Sequence, residues 1–246
     1  DGTLPAITIQ EGDATLSVSG KVDRVDGWLH DGKLYLRVVD YKTGRKSFDL
    51  SDVRYGLGIQ MLLYLFTLEK EGQSCFGYPI VPAGVLYHPA RDLILKADRD
   101  ITPEALRRAM DRELRRDGMV LGDPEVLRAM EHSALEAPCF LPIQVSKDGG
   151  ISGGVATAAQ LGRLGQYVEK LLHQITRELR QGNIDADPCW RGPQESACTY
   201  CDFASSCHFQ DGQADDRLRP LKRVKADEFW EFVAHETEEE GRHGEL

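Results

Sequence analysis

The sequence predicts an α/β protein, and three stretches carry that prediction. Thr15 to Trp28 places Leu16, Val18, Val22 and Val25 among Ser, Lys and Asp, the alternation of a strand with one covered face. Leu34 to Lys42 (LYLRVVDYK) is almost continuously apolar before it ends in charge, as a strand covered on both faces reads. Ala156 to Gln181 repeats its apolar residues with helical period and stops at Gly182-Asn183.

The remaining elements follow in order. His30-Asp31-Gly32-Lys33 has turn chemistry, so the first two strands form a hairpin. Thr43-Gly44-Arg45-Lys46 breaks the second strand. Ser51 or Asp52 caps a helix that runs through Tyr55 to about Lys70, with apolar residues so widely wrapped that it is well buried. Pro82 to His88 (PAGVLYH) and Leu93 to Lys96 read as further strands. Thr102-Pro103-Glu104 opens a helix with proline in its first turn, and Asp123-Pro124-Glu125 opens a shorter one. Lys147 to Gly154 is a glycine-rich loop. A cysteine-rich segment follows the long helix. The end of the chain (226–246) reads as a weakly ordered acidic helix or tail, with Glu236, Glu238, Glu239 and Glu240. No internal repeat is visible.

The bulk properties narrow the class. A chain of 246 residues holds one large domain, or a domain with a sub-domain. It begins at Asp1, which reads as a piece of a longer protein. Its most apolar run, Met61 to Leu68, is too short for a membrane span and is interrupted by Tyr64 and Thr67, so a soluble protein is expected. The net charge of -10 argues weakly against an isolated nucleic-acid binder. Two basic clusters, Arg107, Arg108, Arg112, Arg115 and Arg116, then Arg217, Arg219, Lys222, Arg223 and Lys225, read first as a solvated helix face or tail and second as DNA contacts.

Two constellations carry chemistry. Asp23 lies on the first strand of the hairpin, and Asp40 and Lys42 lie two apart at the end of the second, hence on one face. A bare D-x-K is more often a salt bridge at a strand end. Here it ends a buried strand, has a second Asp upstream and precedes a helix with Gln60 and Tyr64 at i and i+4. Two carboxylates can hold Mg²⁺, the Tyr41 carbonyl can add a third oxygen, and Lys42 can orient water or meet developing charge, as phosphodiester hydrolysis requires.

The second constellation is Cys198-x2-Cys201-x5-Cys207, a spacing suited to thiolate ligation of zinc or an iron–sulfur cluster in a reducing compartment. His208 can complete a zinc site. Cys189 stands nine residues upstream of Cys198. Cys75 and Cys139 read as ordinary buried or partly exposed thiols.

The segments GKVDRVDGW, LRVVDYKTG and YGLGIQMLLYL together resemble the RecB-like branch of the PD-(D/E)XK nucleases. The resemblance implies a restriction-endonuclease-like core, a mixed central sheet flanked by helices, with a helical insert and a C-terminal cysteine loop. It implies a nuclease domain over 1–225 that lacks its first helix, which usually carries a His or Glu near the metal, and a cysteine loop at about 189–210. By it, Asp23 and Asp40 bind metal, Lys42 is catalytic, Gln60 and Tyr64 assist, and Asp26 is a structural or minor partner. SACTYCDFASSCHF resembles the cysteine motif of iron-staple nucleases. That implies a [4Fe–4S] cluster on Cys198, Cys201 and Cys207, a fourth ligand upstream of this chain, and Cys189 as an alternative.

Across Thr15 to Lys225 the resemblance is to the C-terminal domain of the AddB family, the second subunits of bacterial helicase–nucleases. The compact CRISPR-associated exonucleases of the Cas4 type share the motifs without the long insert. The family implies an Mg²⁺-dependent exonuclease acting in the bacterial cytoplasm on double-strand DNA ends. It also implies a heterodimer with an AddA-like helicase–nuclease subunit, and cutting of the 5′-ended strand. A DNA-end binding module without cleavage is the competing expectation.

Overall fold

The computed structural model describes residues 6–44, 46–97, 99–213 and 216–243. Asp1 and Arg45 lie outside the described residues, as do the side chains of Glu239 and Glu240. In chain order the elements are β1 (Ile7–Glu11), β2 (Ala14–Val18), β3 (Arg24–His30), β4 (Lys33–Lys42), α1 (Leu50–Arg54), α2 (Gln60–Phe76), β5 (Ile80–Pro89), α3 (Pro103–Glu113) and β6 (Asp117–Leu121). They continue with α4 (Pro124–Met130), β7 (Ile143–Val145), β8 (Ile151–Gly153), β9 (Val155–Ala156), α5 (Ala158–Arg180), β10 (Cys189–Trp190), α6 (Ala204–Cys207), β11 (Arg219–Pro220) and α7 (Ala226–His243).

The chain divides into two compact units, residues 1–8, 17–48 and 58–169 in the first and 9–16, 49–57 and 170–246 in the second. The first holds a mixed sheet of order β3-β4-β5-β6-β9. β3 and β5 run antiparallel to β4 and β6 respectively, while β4 pairs β5 and β6 pairs β9 in parallel. The β3–β4 turn is tight because Asp31 and Gly32 both take positive φ, 48° and 72°, the geometry that suits a twisted hairpin.

Two layers bury β4. On the face carrying Leu36, Val38 and Asp40 lies α2, with Met61, Leu62, Leu65 and Leu68 buried and Gly72 close against Ile80 of β5. On the other face Val39 joins Leu86, Val120, Leu127, Ala134, Leu141 and Ile143 in a core. Full burial of such side chains stabilises by roughly 1.5–3 kcal/mol each. This double covering is why LYLRVVDYK reads as a continuous apolar run. A bulge between Leu36 and Arg37 leaves Ala83 of β5 unmatched, next to Pro82, which has no N–H to give the ladder.

The second unit is built on the part of α5 from Lys170 onward, α7 and short pairings. Glu11 meets His173 at 2.6 Å and Arg177 at 3.1 Å, and Asp13 meets Arg180 at 2.5 Å. Buried Ser51 of α1 accepts from Val224 N at 3.1 Å, Tyr55 accepts from Lys222 N at 3.1 Å, and Arg191 meets Asp52 at 2.6 Å.

Several expectations change. The first strand is two, β2 and β3, separated around Gly20. The helix from Ser51 is also two: Asp49, not Ser51 or Asp52, caps α1, and Gly56 and Gly58 at φ 74° and 65° interrupt the chain before α2. Leu93 to Lys96 is irregular, with Ile94 96% exposed, because no strand stands beside it. β6 was not foreseen, since five residues with one glycine give too little pattern. Lys147 to Gly154 is the turn and second strand of the β7–β8 hairpin. Of the helix or tail expected at the chain end, Ala226–His243 is the helix α7, anchored by fully buried Phe229 and Val233. The helices capped by Thr102 and Asp123 form as expected, with Thr102 accepting from Ala105 N and Asp123 from Glu125 N and Val126 N. Among the described residues no helix is long and apolar enough to cross a membrane.

Candidate active site

The site forms where β3 and β4 meet beside α2. The register Arg24↔Val39 places Asp23, one step beyond β3, opposite Asp40. The Tyr41 backbone N–H donates to Asp23 Oδ2 at 3.1 Å, which ties that carboxylate to β4 at the residue after Asp40. Lys42 Nζ lies 2.5 Å from Asp40 Oδ2 and 5.7 Å from the centre of the Tyr87 ring. Asp40 Oδ2 is withdrawn from solvent and has no directed hydrogen bond, so its contact with Lys42 is ionic. A shielded carboxylate oxygen of that kind is costly unless a cation compensates it.

α2 supplies the other predicted pair. Gln60, its first residue, donates from Nε2 to Tyr64 Oη at 3.0 Å. Tyr64 in turn lies against Gly20. A Cβ at Gly20 would stand 2.5 Å from Tyr64 Oη and 2.7 Å from its Cε1, so only glycine permits this approach. Gly20 precedes Asp23 by three residues, and this packing links the α2 pair to the segment that delivers Asp23. Asp23, Asp40, Tyr41 and Lys42 are therefore assembled, with Gln60 and Tyr64 beside them.

The site fits a hard divalent cation through oxygen: two carboxylates that face each other across the hairpin, one with a buried oxygen that has no hydrogen bond and only the Lys42 ammonium beside it. Mg²⁺ needs only one or two protein carboxylates, with water and phosphate completing its shell. Next to Lys42 a pocket of about 240 Å³ opens, lined by Lys46, Arg91, Arg115 and Asp117 among others.

The cysteines differ. Cys201 and Cys207 are exposed and Cys198 is half-buried, and all six thiols are free. Among the described residues no group of three or more His, Cys, Asp or Glu side chains is gathered tightly enough to hold a metal. Cys207 ends the short α6, and His208 follows at φ 53°, exposed. The Cys189 carbonyl accepts from Ala197 N at 2.9 Å, so its strand runs beside the start of the motif.

Asp26 accepts hydrogen bonds from Arg24 and Arg37. Burial pushes its carboxyl up, but hydrogen bonds from Arg24 and Arg37 outweigh this and hold it below the usual value near 3.8. Arg115 and Arg116 are not part of the solvated face expected for their cluster. Arg115 donates to the carbonyls of Leu141 and Ile143, and Arg116 donates to His88 Nδ1 at 3.1 Å. The sequence held no local signal for this, because Arg108, Arg112 and Arg116 keep helical spacing although α3 ends at Glu113. In the second cluster Arg217 and Arg219 pair with Asp187, and Arg223 pairs with Glu195.

A parallel-containing sheet that presents an Asp, an Asp-x-Lys and a Gln–Tyr helix at one end defines a PD-(D/E)XK nuclease core. The family model described as the PD-(D/E)XK nuclease superfamily matches residues 4–208, and the chain belongs to that superfamily. Over nearly its whole length it is homologous to AddB proteins, named as the B subunits of ATP-dependent helicase/deoxyribonucleases. It is 35% identical to that of Acetivibrio thermocellus over 97% of this chain and 21% of the relative. It is 34% identical to that of Thermoanaerobacter sp. X514 over 92% and 20%, and 33% identical to that of Clostridium botulinum Loch Maree over 97% and 21%. The chain thus spans about a fifth of the length of these relatives.

Proposed function

We propose that this chain is the Mg²⁺-dependent deoxyribonuclease domain of a helicase–nuclease subunit, that it works with an AddA-like partner on double-strand ends, and that it cuts the 5′-ended strand. The observation that carries the reading is the pairing of Asp23 with Asp40 across the hairpin, with Lys42 on the ion-paired side of Asp40. Asp23, Asp40 and the Tyr41 carbonyl would hold the metal, which when bound acts as a Lewis acid toward phosphate and lowers the pKa of water. Lys42 sits where it can orient the attacking water or stabilise charge on the phosphate. Gln60 and Tyr64, joined to each other, hold a polar wall facing that phosphate. Sheet register holds Asp40 and Lys42 and sets Asp23 opposite them, and α2 packed at Gly20 holds Gln60 and Tyr64, the kind of preorganisation that allows electrostatic stabilisation at little reorganisation cost.

A [4Fe–4S] cluster on Cys198, Cys201 and Cys207 rests on the resemblance of the cysteine motif to that of iron-staple nucleases, the spacing by itself suiting zinc as well. Its role would be to hold the domain together, and no step of hydrolysis involves it.

Asp40→Ala in the intact protein tests the reading. The expected result is loss of cleavage of one strand with unwinding retained. Undiminished cutting of both strands would remove the assignment. DNA binding by the unmodified protein with no metal-dependent cutting would instead support an end-binding module.

A further inference from the structure

On the face of β4 opposite Asp40 and Lys42, a continuous chain of contacts joins three strands and the start of β6. Arg37 donates from Nε to Asp26 Oδ2 at 2.9 Å, and Arg24 donates to the two oxygens of Asp26 at 2.6 and 3.0 Å. Arg24 Nη1 reaches Tyr41 Oη at 3.2 Å, the Tyr41 ring stands edge-on to His88 at 5.3 Å, and Arg116 donates to His88 Nδ1. Three guanidinium groups are thereby held around one carboxylate, a phenol and an imidazole. Glu131 is close enough to Arg116 to be felt, yet its carboxylate already accepts the backbone N–H groups of Cys139, Phe140 and Leu141 at 2.5, 3.1 and 2.9 Å.

The cationic donors exceed the acceptors. Arg37, with a side chain only 12% exposed, keeps Nη1 buried without a hydrogen-bond partner. Arg116 is half-buried and repelled by Arg37 and Arg24, and its hydrogen-bond acceptor is an imidazole. Proteins tolerate such crowding where an anion completes the set, and forked guanidinium donors suit phosphate oxygens. Two exposed aromatic rings flank the cluster: Tyr41, bonded to Arg24, and Phe140, 5.7 Å below the Arg116 guanidinium, each 42% exposed. Cations interleaved with exposed rings match the backbone and bases of a single strand, because every base has a face that stacks.

We propose that Arg24, Arg37 and Arg116, with Tyr41 and Phe140, form a second binding site for single-stranded nucleic acid, on the reverse of the strand that carries Asp40. The site holds a phosphodiester and stacks the adjoining bases. It takes no part in cleavage and anchors the strand away from the metal. The choice of nucleic acid over another phosphate rests on the nuclease reading, so the test avoids cutting.

Fluorescein-labelled oligothymidylate is titrated with the intact protein in EDTA at several salt concentrations. Arg116→Ala should weaken binding about tenfold and make the slope of log K against log salt shallower by about 0.7. Adding Arg24→Ala should bring the change to about 1.4, as each lost phosphate contact on single strands predicts. Arg116→Lys should recover the slope and only part of the affinity. Unchanged affinity and slope in the folded double variant would overturn the proposal and leave an internal ion network. Should the alanine variants not fold, phenylglyoxal labelling of the unmodified protein decides. Saturating oligothymidylate should protect Arg24 and Arg116, whereas equal labelling with and without it, or equal protection by inorganic phosphate alone, would overturn a single-strand site. Failure of the nuclease reading looks different: no metal-dependent cutting by the unmodified protein, whatever the oligonucleotide affinity.

Discussion

Asp40 and Cys201 are both motif residues, but their surroundings hold them by different means. Asp40 sits on a strand paired on both sides and covered on both faces, so backbone register alone determines what stands opposite it. Cys201 sits in a segment of single turns, where Cys201 N reaches the Cys198 carbonyl at 3.4 Å and Cys207 N the Phe203 carbonyl at 2.8 Å. Around it Tyr200 and Phe203 are 91% and 74% exposed. The first arrangement is complete from protein forces. The second buries little apolar surface, so the cluster proposed for it would supply what packing does not.

The largest effect that would break this contrast is on cleavage. Asp40→Ala should lower cutting by about 10²–10³-fold or more with an unchanged melting temperature, since a preorganised transition-state interaction is lost and no core contact. A large fall in stability instead would show that Asp40 helps to hold the strand. Next in size is Cys201→Ser. It should abolish the broad visible absorbance of an iron-loaded preparation and raise hydrogen exchange over 189–210, while exchange in β4 stays slow. Thermal stability should fall by a few degrees for each kcal/mol lost. Equal loosening of β4 would erase the distinction between the two regions.

A smaller effect is expected at the packing contact behind the site. Gly20→Ala pushes a methyl into Tyr64 and should cost about 1–3 kcal/mol by overpacking, together with reduced cutting. Normal stability and activity would show that the Asp23 segment yields easily. The smallest concerns pH. Asp26 has a lowered carboxyl value in the folded protein, so its contribution is present above the ordinary value near 3.8 and is lost as pH falls through the lowered one. Asp26→Asn should therefore reduce stability at neutral pH by about 1 kcal/mol, given its partial exposure, with the difference from the native protein shrinking in acid. A pH-independent difference would show that the effect is not ionic.

The motif residues and the type of the long elements were legible because their signals are local. The buried run before Asp40, the i to i+4 spacing of Gln60 and Tyr64, and the caps at Thr102 and Asp123 each occupy a few adjacent positions. The divisions of the first strand and first helix were harder to see. Gly20, in the break between β2 and β3, packs against a side chain 44 residues later, and nothing local records that contact.

By itself the sequence determined the α/β class, the Asp–Asp–Lys set, the Gln–Tyr pair and the cysteine spacing, since periodicity and residue chemistry are properties of short windows. Only the tertiary structure decided that Asp23 stands opposite Asp40 and that Tyr64 seals against Gly20. It also decided that Arg24, Arg37 and Arg116 converge behind the same strand. The facing of Asp23 and Asp40, and of Arg24 and Arg37 about Asp26, is set by strand register and by the alternation of side chains to opposite faces, and a one-residue shift in pairing would have undone it.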